Sequence, residues 1–169
     1  MFIRKVILDD IPFLSRLAKV SFREAYKYMF DQGLMEDYIK KVFSEAQLTV
    51  DLKDPKSNLY IALKGEVLLG YLKLREGGEP KCDIPKGTVE VERIYADPAQ
   101  KHQGIGKLLM ATALKEARAM GFKGVWLGLF QKNINALHFY EAQGFSIVGE
   151  TIFMMGDEPQ KDYIMAKEL

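Results

Sequence analysis

The amino-acid sequence predicts an α/β protein in which a sheet is layered against helices. Strand-type segments and amphipathic helical segments are mixed along the 169 residues, an order typical of layered α/β domains. No internal repeat and no linker rich in Pro, Gly or Ser divides the chain. Nearly half of the residues, 48%, are hydrophobic, which is enough for a sizeable core. We therefore expect one domain spanning residues 1–169.

The first half of the chain is predicted to contain a strand, a helical region and a hairpin. Asp9 and Asp10 can cap a helix whose apolar residues recur at helical spacing. The helical region has a break near Gly33, and Lys64-Gly65 is the predicted hairpin turn. The predicted elements are a strand at residues 2–8, mostly helical structure at 21–52, and hairpin strands at 58–63 and 66–74.

The second half begins with a polar loop rich in Gly and Pro and then mixes strands with helices. The first of these helices carries an apolar stripe, and Gly121 is placed to end it. Gly144 is placed to end the second helix. The predicted elements are the loop at 76–87, a strand at 88–95, a helix at 105–120, a strand at 124–129, a helix at 134–143, and strands at 145–155 and 161–167.

Charge and cysteine content narrow the range of partners. Lys and Arg number 24 and Asp and Glu number 23, so the formal net charge is close to zero. This balance gives no reason to expect nucleic acid or an anionic membrane as a partner. Cys82 is the single cysteine, which suits a reducing compartment. The N-terminal residues carry charges and no long apolar stretch, so we expect a cytoplasmic protein without a membrane span.

A glycine-rich loop precedes the amphipathic helix at residues 105–120. Gly104 and Gly106 allow a tight turn and a close approach of the backbone to a ligand. Successive amides that enter a helix N-terminus form an anion site. The segment 100–109 therefore predicts a cradle for a pyrophosphate. The alternative is a glycine-rich turn that binds nothing.

Two other phosphate-binding motifs do not fit this loop. A P-loop requires Gly where the chain has Lys101, and Ser or Thr where it has Leu108. A dinucleotide-binding fingerprint requires a small residue where the chain has Leu109, and an acid about twenty residues later. Residues 119–131 contain no acid. These mismatches argue against a nucleotide-dependent enzyme of either kind.

A second candidate segment follows the strand at 124–129. Asn133, Ala136 and Tyr140 have the spacing i, i+3, i+7, so they share one helix face. The helical rise separates Asn133 from Tyr140 by roughly 10 Å, so one extended ligand could touch both. The alternative is that Asn133 is only an N-cap and Tyr140 only a core aromatic residue.

Together the two segments resemble the GNAT acetyltransferases. That family has R/Q-x-x-G-x-G/A at its pyrophosphate loop and N-x-x-A-x-x-F-Y-x-x-x-G-F on the later helix. The chain departs from the first pattern at Lys101, which offers charge but no guanidinium fork. The resemblance covers almost the whole chain, and the tail FMMGDEPQKDYIMAKEL is most similar to spermidine/spermine N-acetyltransferases of the PaiA type. The matching residues are Gly104, Gly106, Asn133, Ala136, Phe139, Tyr140, Gly144 and Phe145.

The resemblance implies a mixed, mostly antiparallel central sheet flanked by helices in three layers. It also implies acetyl-CoA as cosubstrate, no metal, and a small-molecule amine as acceptor. The oligomeric state is left open, with a homodimer as one arrangement. The implied cofactor-binding residues are Ile94, Tyr95, Ala96, Lys101, His102, Gln103, Gly104, Ile105, Gly106, Lys107, Asn133, Ala136 and Tyr140.

Transfer of acetyl to an amine requires a base and a proton donor. Strand alternation is expected to place Glu90, Glu92 and Ile94 on one face, and Glu92 is the preferred base. The alternative is a solvated acidic face. Tyr140 is neutral at physiological pH and could protonate the departing thiolate. The resemblance assigns backbone contacts with the pantetheine arm and the thioester to Ile94 and Ala96.

The acceptor side is expected between residues 22 and 37. Tyr26, Asp31 and Glu36 could hold a polyamine through ion pairs and cation–π contacts, although an ordinary helical face explains each residue equally well. Two other functions stay open. One is acetylation of a protein N-terminus or lysine, and the other is a regulator that binds acetyl-CoA without turnover.

Overall fold

The computed structural model describes residues 1–78, 82, 84–100 and 103–169, and these contain one sheet of seven strands. Its strands are β1 (Phe2–Lys5), β2 (Ser57–Lys64), β3 (Val67–Arg75), β4 (Thr88–Ala96), β5 (Gly124–Phe130), β6 (Ser146–Met155) and β7 (Glu158–Glu168). They lie in the order β1-β2-β3-β4-β5-β7-β6. All neighbouring pairs are antiparallel except β4 and β5, so the predicted mixed, mostly antiparallel sheet is confirmed.

Helices cover both faces of the sheet. They are α1 (Ile11–Tyr26), α2 (Gln32–Val42), α3 (Glu45–Lys53), α4 (Ile105–Ala119) and α5 (Ile134–Ala142). On one face α1 to α3 form a core around Leu14, Ile39 and Tyr71. On the other face α4 packs Leu109 and Met110 on the sheet, beside α5. The predicted three layers are thereby confirmed. No helix of the described chain is long and apolar enough to cross a membrane.

The helical region of the first half divides at a different point from the predicted one. Gly33 lies inside the first turn of α2, and the break comes earlier, after α1 ends at Tyr26. Asp31 fixes the start of α2 because its carboxylate accepts a hydrogen bond from Leu34 N–H at 3.0 Å. Local capping therefore outweighs the low helix propensity of one glycine. Asp10 makes no side-chain cap for α1 and instead pairs with Arg4.

A β-bulge interrupts the alternation of β4. Lys73 of β3 pairs with Arg93, but the next residue, Leu74, pairs with Val91, so Glu92 is an extra residue. Such a residue reverses the facing of everything beyond it. Ile94 therefore packs with the α4 core, whereas Glu92 lies among charged groups on the α1–α3 face. The expectation that Glu92 and Ile94 share a face is wrong for this reason.

Candidate active site

The sheet opens between its two parallel strands. β4 and β5 are paired only over Thr88–Glu90 and Gly124–Trp126. Beyond these residues a cleft with a volume of about 760 Å³ lies between the second half of β4, the N-terminus of α4, and α5. We call it the cofactor cleft. It brings the glycine-rich loop and the Asn133–Tyr140 segment, which are distant in sequence, to one ligand-sized cavity.

The glycine-rich loop presents free backbone amides to this cleft. Gly104 has a φ of 73°, in the left-handed region that favours glycine, and it forms the N-cap of α4. The first bond of the helix runs from Leu108 N–H to the Gly104 carbonyl at 3.0 Å. The amides of Ile105, Gly106 and Lys107 therefore have no partner within the helix. They line the cleft together and, with the helix dipole, form a site suited to an anion.

The open edge of β4 adds further amides. Asp97 N–H donates to the Leu69 carbonyl of β3 at 2.8 Å. Because N–H directions alternate along a strand, the amide of Tyr95 also faces β3, and those of Ile94 and Ala96 face the open edge. The Ala96 carbonyl on this edge accepts a hydrogen bond from Ser21 Oγ at 3.2 Å. The edge thus offers donors to an extended chain that enters between β4 and β5.

The opposite wall comes from α5. Asn133 is buried at the start of this helix, and its Oδ1 accepts a hydrogen bond from Ala136 N–H at 3.2 Å. Asn133 is therefore an N-cap, but it also lines the cleft with Ala136, Phe139 and Tyr140. One residue performs both tasks because a helix N-terminus on a cleft wall needs a cap and faces the ligand.

Tyr140 lies where the cleft meets the core. Its ring packs against Phe139 and Phe145, with centroid distances of 5.2 and 5.8 Å. Burial, with a smaller contribution from Tyr26, raises the pKa of Tyr140 above its ordinary value. The phenol is therefore neutral through the physiological range and can donate a proton or a hydrogen bond.

A second cavity, with a volume of about 270 Å³, adjoins the cofactor cleft on the α1–α3 face. It shares Tyr26, Glu92, Arg93, Tyr95 and Gly128 with the cleft. We call it the aromatic chamber. Its remaining lining is Phe22, Phe30, Tyr38, Phe43, Arg75, Glu90, Phe130, Phe153, Met155 and Asp162.

Comparison with known proteins assigns this architecture. The model of the acetyltransferase (GNAT) family matches residues 17–145, well over half of the chain. The chain belongs to the acetyltransferase (GNAT) family. Its predicted activity, N-acetyl transfer from acetyl-CoA, is thereby confirmed. Among the described residues of this GNAT acetyltransferase, no three His, Cys, Asp or Glu side chains are grouped to hold a metal ion.

This GNAT acetyltransferase is similar to relatives over nearly its whole length. It is 29% identical to an N-acetyltransferase of the pepI 3′ region of Lactobacillus delbrueckii subsp. lactis, covering 95% of this chain and 92% of that protein. It is 26% identical to spermidine N(1)-acetyltransferase of Thermoplasma acidophilum, covering 98% and 96%. The crystal structure of the PaiA N-acetyltransferase of Thermoplasma acidophilum, in complex with coenzyme A, has the same fold. Its TM-score is 0.81 at 23% identity, with 99% and 98% of the two chains covered.

The cofactor cleft of this GNAT acetyltransferase contains nearly all residues predicted to bind the cofactor. The residues that line it are Ile94, Tyr95, Ala96, Gln103, Gly104, Ile105, Gly106, Lys107, Asn133, Ala136 and Tyr140. Gln103 also donates its side-chain amide to Gln100 at 2.7 Å. Lys101 and His102 lie outside the described residues, so their predicted contacts stay predictions.

Glu92 lines both cavities but is held in a cluster of charges. Its Oε2 lies 2.7 Å from Lys73 Nζ, close enough for an ion pair though not aligned as a hydrogen bond. Its Oε1 lies 3.3 Å from Arg93. Asp51 binds the same two cations, at 3.1 and 2.8 Å, and with their help its pKa lies below the usual range despite burial. Four charged groups therefore fix each other beneath the chamber.

The predicted acceptor residues are only partly brought together. Tyr26 lines both cavities, as a substrate contact requires. Asp31 lies in neither, because its carboxylate caps α2. Glu36 lies in neither and forms a two-bond ion pair with Arg23, one bond measuring 2.8 Å. The structure therefore places Asp31 and Glu36 outside both cavities, with their carboxylates used by local structure, and their contact with an acceptor stays a prediction.

One carboxylate of the chamber was missed by sequence reasoning. Asp162 lies on β7, opposite Phe130 of β5 and Thr151 of β6. It shares a face with Ile164, which is buried. The available signal was an acid two positions from an apolar residue on the same strand, a spacing that places both side chains on one face. The alternation was difficult to recognise because this tail contains many charged residues.

Proposed function

We propose that this GNAT acetyltransferase transfers the acetyl group of acetyl-CoA to a primary amine of a polyamine such as spermidine or spermine. The aromatic chamber carries this proposal, because it adjoins the cofactor cleft and combines aromatic rings with carboxylates. Aromatic faces attract an ammonium group, and their edges accommodate the methylene segments of a polyamine. The similarity to the spermidine acetyltransferase of Thermoplasma acidophilum supports the same substrate class.

The cosubstrate is proposed to lie along the cofactor cleft, where it supplies a thioester as the acetyl donor. The amides of Ile105, Gly106 and Lys107 would bind its pyrophosphate. The open edge of β4 would hold the pantetheine arm, and Asn133 would contact the arm from α5. This arrangement leads the thioester toward Gly128 and Tyr140, where the cleft meets the aromatic chamber.

The chemical step then needs little more than positioning and a proton donor. The Ile94 amide would polarise the thioester carbonyl as negative charge develops on its oxygen. The neutral amine attacks the carbonyl carbon, a C–N bond forms, the C–S bond breaks, and the nitrogen releases its surplus proton to solvent. Tyr140 donates its proton to the departing thiolate. Solvent then returns a proton to Tyr140.

Glu92, predicted as the base, is proposed here to act mainly through its fixed charge. Its carboxylate contacts Lys73 and Arg93, so transfer of a proton to it would weaken two ion pairs. A fixed anion beside the junction still favours an approaching ammonium. The Glu92→Gln substitution tests this assignment. Loss of the negative charge should raise KM for a cationic acceptor more than it lowers kcat.

A substrate panel tests the proposed function. Purified protein is assayed with acetyl-CoA and spermidine, spermine, a short monoamine, a lysine-containing peptide and a peptide with a free N-terminus. We expect the polyamines to have the highest kcat/KM. A preference for either peptide would contradict the polyamine proposal and favour protein acetylation. Binding of acetyl-CoA without turnover of any acceptor would favour a regulator.

We further propose that residues 1–169 act as one acetyltransferase domain in the cytoplasm. The single cysteine suits a reducing compartment. The homodimer stays a prediction, which light scattering over a range of protein concentrations would test.

A further inference from the structure

Asp162 is the one acid of the aromatic chamber for which the described residues supply no ion-pair partner. Its Oδ1 is buried and accepts no hydrogen bond from any described group. No described Lys or Arg lies within ion-pair distance of it. The other two acids of the chamber are paired, Glu90 with Arg75 at 2.7 Å and Glu92 with Lys73 at 2.7 Å. Burial of a carboxylate oxygen without a protein donor is costly, so a ligand that donates a hydrogen bond to this oxygen would be favoured here.

The Asp162 carboxylate faces the junction of the two cavities. Its Oδ2 lies 3.7 Å from the position that a Cβ atom would take on Gly128. Gly128 lines both the cofactor cleft and the aromatic chamber. A glycine here leaves the space between the carboxylate and the cleft open. An amine bound by Asp162 would therefore lie at the entrance to the thioester site.

Aromatic rings complete the surroundings expected of an ammonium site. Phe30 packs against Phe130 at 4.7 Å and against Tyr26 at 5.4 Å, and Tyr38 packs against Phe153 at 5.8 Å. All five rings line the chamber with Asp162. A cation among such rings loses water, and it is stabilised when a carboxylate lies opposite.

We propose that the Asp162 carboxylate binds the ammonium group of the acceptor and receives the proton that the amine must lose before it attacks. This inference rests on the proposed amine acetylation and names the residue that orients the acceptor in it. Glu92 then acts as a fixed anion in the same chamber, and it is not the base.

The protons balance as follows. The ammonium gives one proton to Asp162 and becomes a neutral amine, whose lone pair forms the C–N bond. The nitrogen loses its second proton to solvent as the C–S bond breaks, and the sulfur leaves with the bonding electron pair. Tyr140 protonates that sulfur and regains a proton from solvent. One proton is released per acetyl group transferred, after Asp162 has returned to the carboxylate.

The titration of Asp162 suits this role. Burial raises the pKa of Asp162 to about 6, so the group is ionised at neutral pH but holds a proton more readily than an exposed Asp. A base works best when its pKa lies near the working pH. The titratable and charged groups that line the chamber around it are Tyr26 of α1, Tyr38 of α2, Arg75 of β3, and Glu90, Glu92, Arg93 and Tyr95 of β4.

The experiment begins with the wild-type protein and the acceptor panel described above. The acceptor with the highest kcat/KM is then used for all variants. The polyamine proposal and the Asp162 proposal therefore fail separately, since a non-polyamine acceptor contradicts only the first. If no amine in the panel is acetylated, both are overturned.

We expect Asp162→Asn to lower kcat/KM for the acceptor by about 100-fold or more, within the range of general acid–base effects. The Kd of acetyl-CoA should change by less than about twofold. The wild-type kcat/KM should rise with a break near the pKa of Asp162, about 6, and the break should be absent in Asp162→Asn. The matched control Asp157→Asn, in the exposed turn between β6 and β7, should behave as wild type.

Two kinetic results with the variants would also overturn the proposal. One is a wild-type kcat/KM in Asp162→Asn. The other is a break near pH 6 that persists in Asp162→Asn and disappears in Glu92→Gln, which would return the role of base to Glu92.

Thermal melts separate this role from a structural one. Folded Asp162 keeps its proton up to a pKa of about 6, whereas an unfolded Asp loses it near 3.8. Its contribution to stability is therefore present below about pH 3.8 and is lost as the pH rises through about 6. Asp162→Asn should raise the Tm at pH 8, and the difference should shrink at pH 4. A lower Tm at pH 8 would show that the carboxylate stabilises the fold, and would overturn the proposal.

Discussion

Exchange of Tyr140→Phe removes one hydroxyl and leaves the ring. Among the described residues, no group hydrogen-bonds that hydroxyl, and the ring contacts with Phe139 and Phe145 do not depend on it. The free energy of unfolding should therefore stay within about 0.5 kcal/mol of wild type. We therefore expect the main effect of the substitution on the rate of acetyl transfer.

The expected loss of rate follows from the proton that the hydroxyl supplies. General acids contribute typically about 10²- to 10⁴-fold. A thiolate leaves fairly well without help, so we expect acetyl transfer to slow by roughly ten- to a thousand-fold, which is about 1.4 to 4 kcal/mol in the barrier. Because burial raises the pKa of Tyr140, the wild-type group stays protonated, and the loss should not depend on pH between about 6 and 8.

Single-turnover kinetics measure this loss directly, and calorimetric titration should show little change in acetyl-CoA affinity. Tyr60→Phe is a matched control. The Tyr60 hydroxyl donates to Glu116 at 3.1 Å, in a cavity separate from the cofactor cleft. That variant should lose about 0.5 to 1.5 kcal/mol of stability at an unchanged rate. A wild-type rate in Tyr140→Phe would remove Tyr140 from the chemistry and leave it as a core aromatic residue.

Three further outcomes are expected. Gly106→Glu should weaken acetyl-CoA binding by more than about tenfold, because the new carboxylate would compete for the backbone amides at the start of α4. The fold should persist, because a Cβ atom on residue 106 meets only the Phe139 ring, at 3.4 Å. The exposed Ala111→Glu on the same helix adds the same charge and should bind normally; equal affinities in calorimetry would contradict the pyrophosphate assignment. Lys73→Met should cost about 3 kcal/mol in urea unfolding, because the buried Asp51 and the partly buried Glu92 lose a cation. A loss below about 1 kcal/mol would argue against the cluster as a structural anchor. The preference for spermidine over a monoamine should shrink as salt rises, since the long-range attraction of a polycation from solvent is screened even though a buried ion pair is screened much less. A salt-independent ratio in initial-rate assays would contradict this long-range contribution.

The cofactor cleft could be predicted because its parts depend on local sequence. A left-handed glycine at a helix start is required by the turn itself, and Gly104 has that conformation with a φ of 73°. Asn133 is a strong N-cap type, and it caps α5. Residues of these kinds act through their nearest neighbours in the chain. Their spacing is therefore informative without knowledge of the sheet.

The aromatic chamber, the proposed acceptor side, could not be predicted in the same way because it depends on long-range pairing. The bulge at Glu92 arises from the register between β3 and β4, and no residue type within β4 predicts it. Asp31 and Glu36 are acids in the expected region, but a cap and an ion pair with Arg23 use them. Asp162 contributes to the chamber from β7, which is separated in sequence from Tyr26 by most of the chain. The composition of the sequence indicated acidic and aromatic residues for this side, but it did not specify which of them lie close together.

The bulge also explains how one strand serves two cavities. Without it, β4 would present Glu92 and Ile94 to the same side, and the charge cluster would compete for space with the α4 core. With it, Ile94 packs toward α4, whereas Arg93 anchors Glu92 and Asp51 on the other face. The two cavities then meet at Gly128 of β5, where a side chain is absent. The early divergence of β4 from β5 and the extra residue in β4 thus produce, together, the cofactor cleft and the adjoining aromatic chamber.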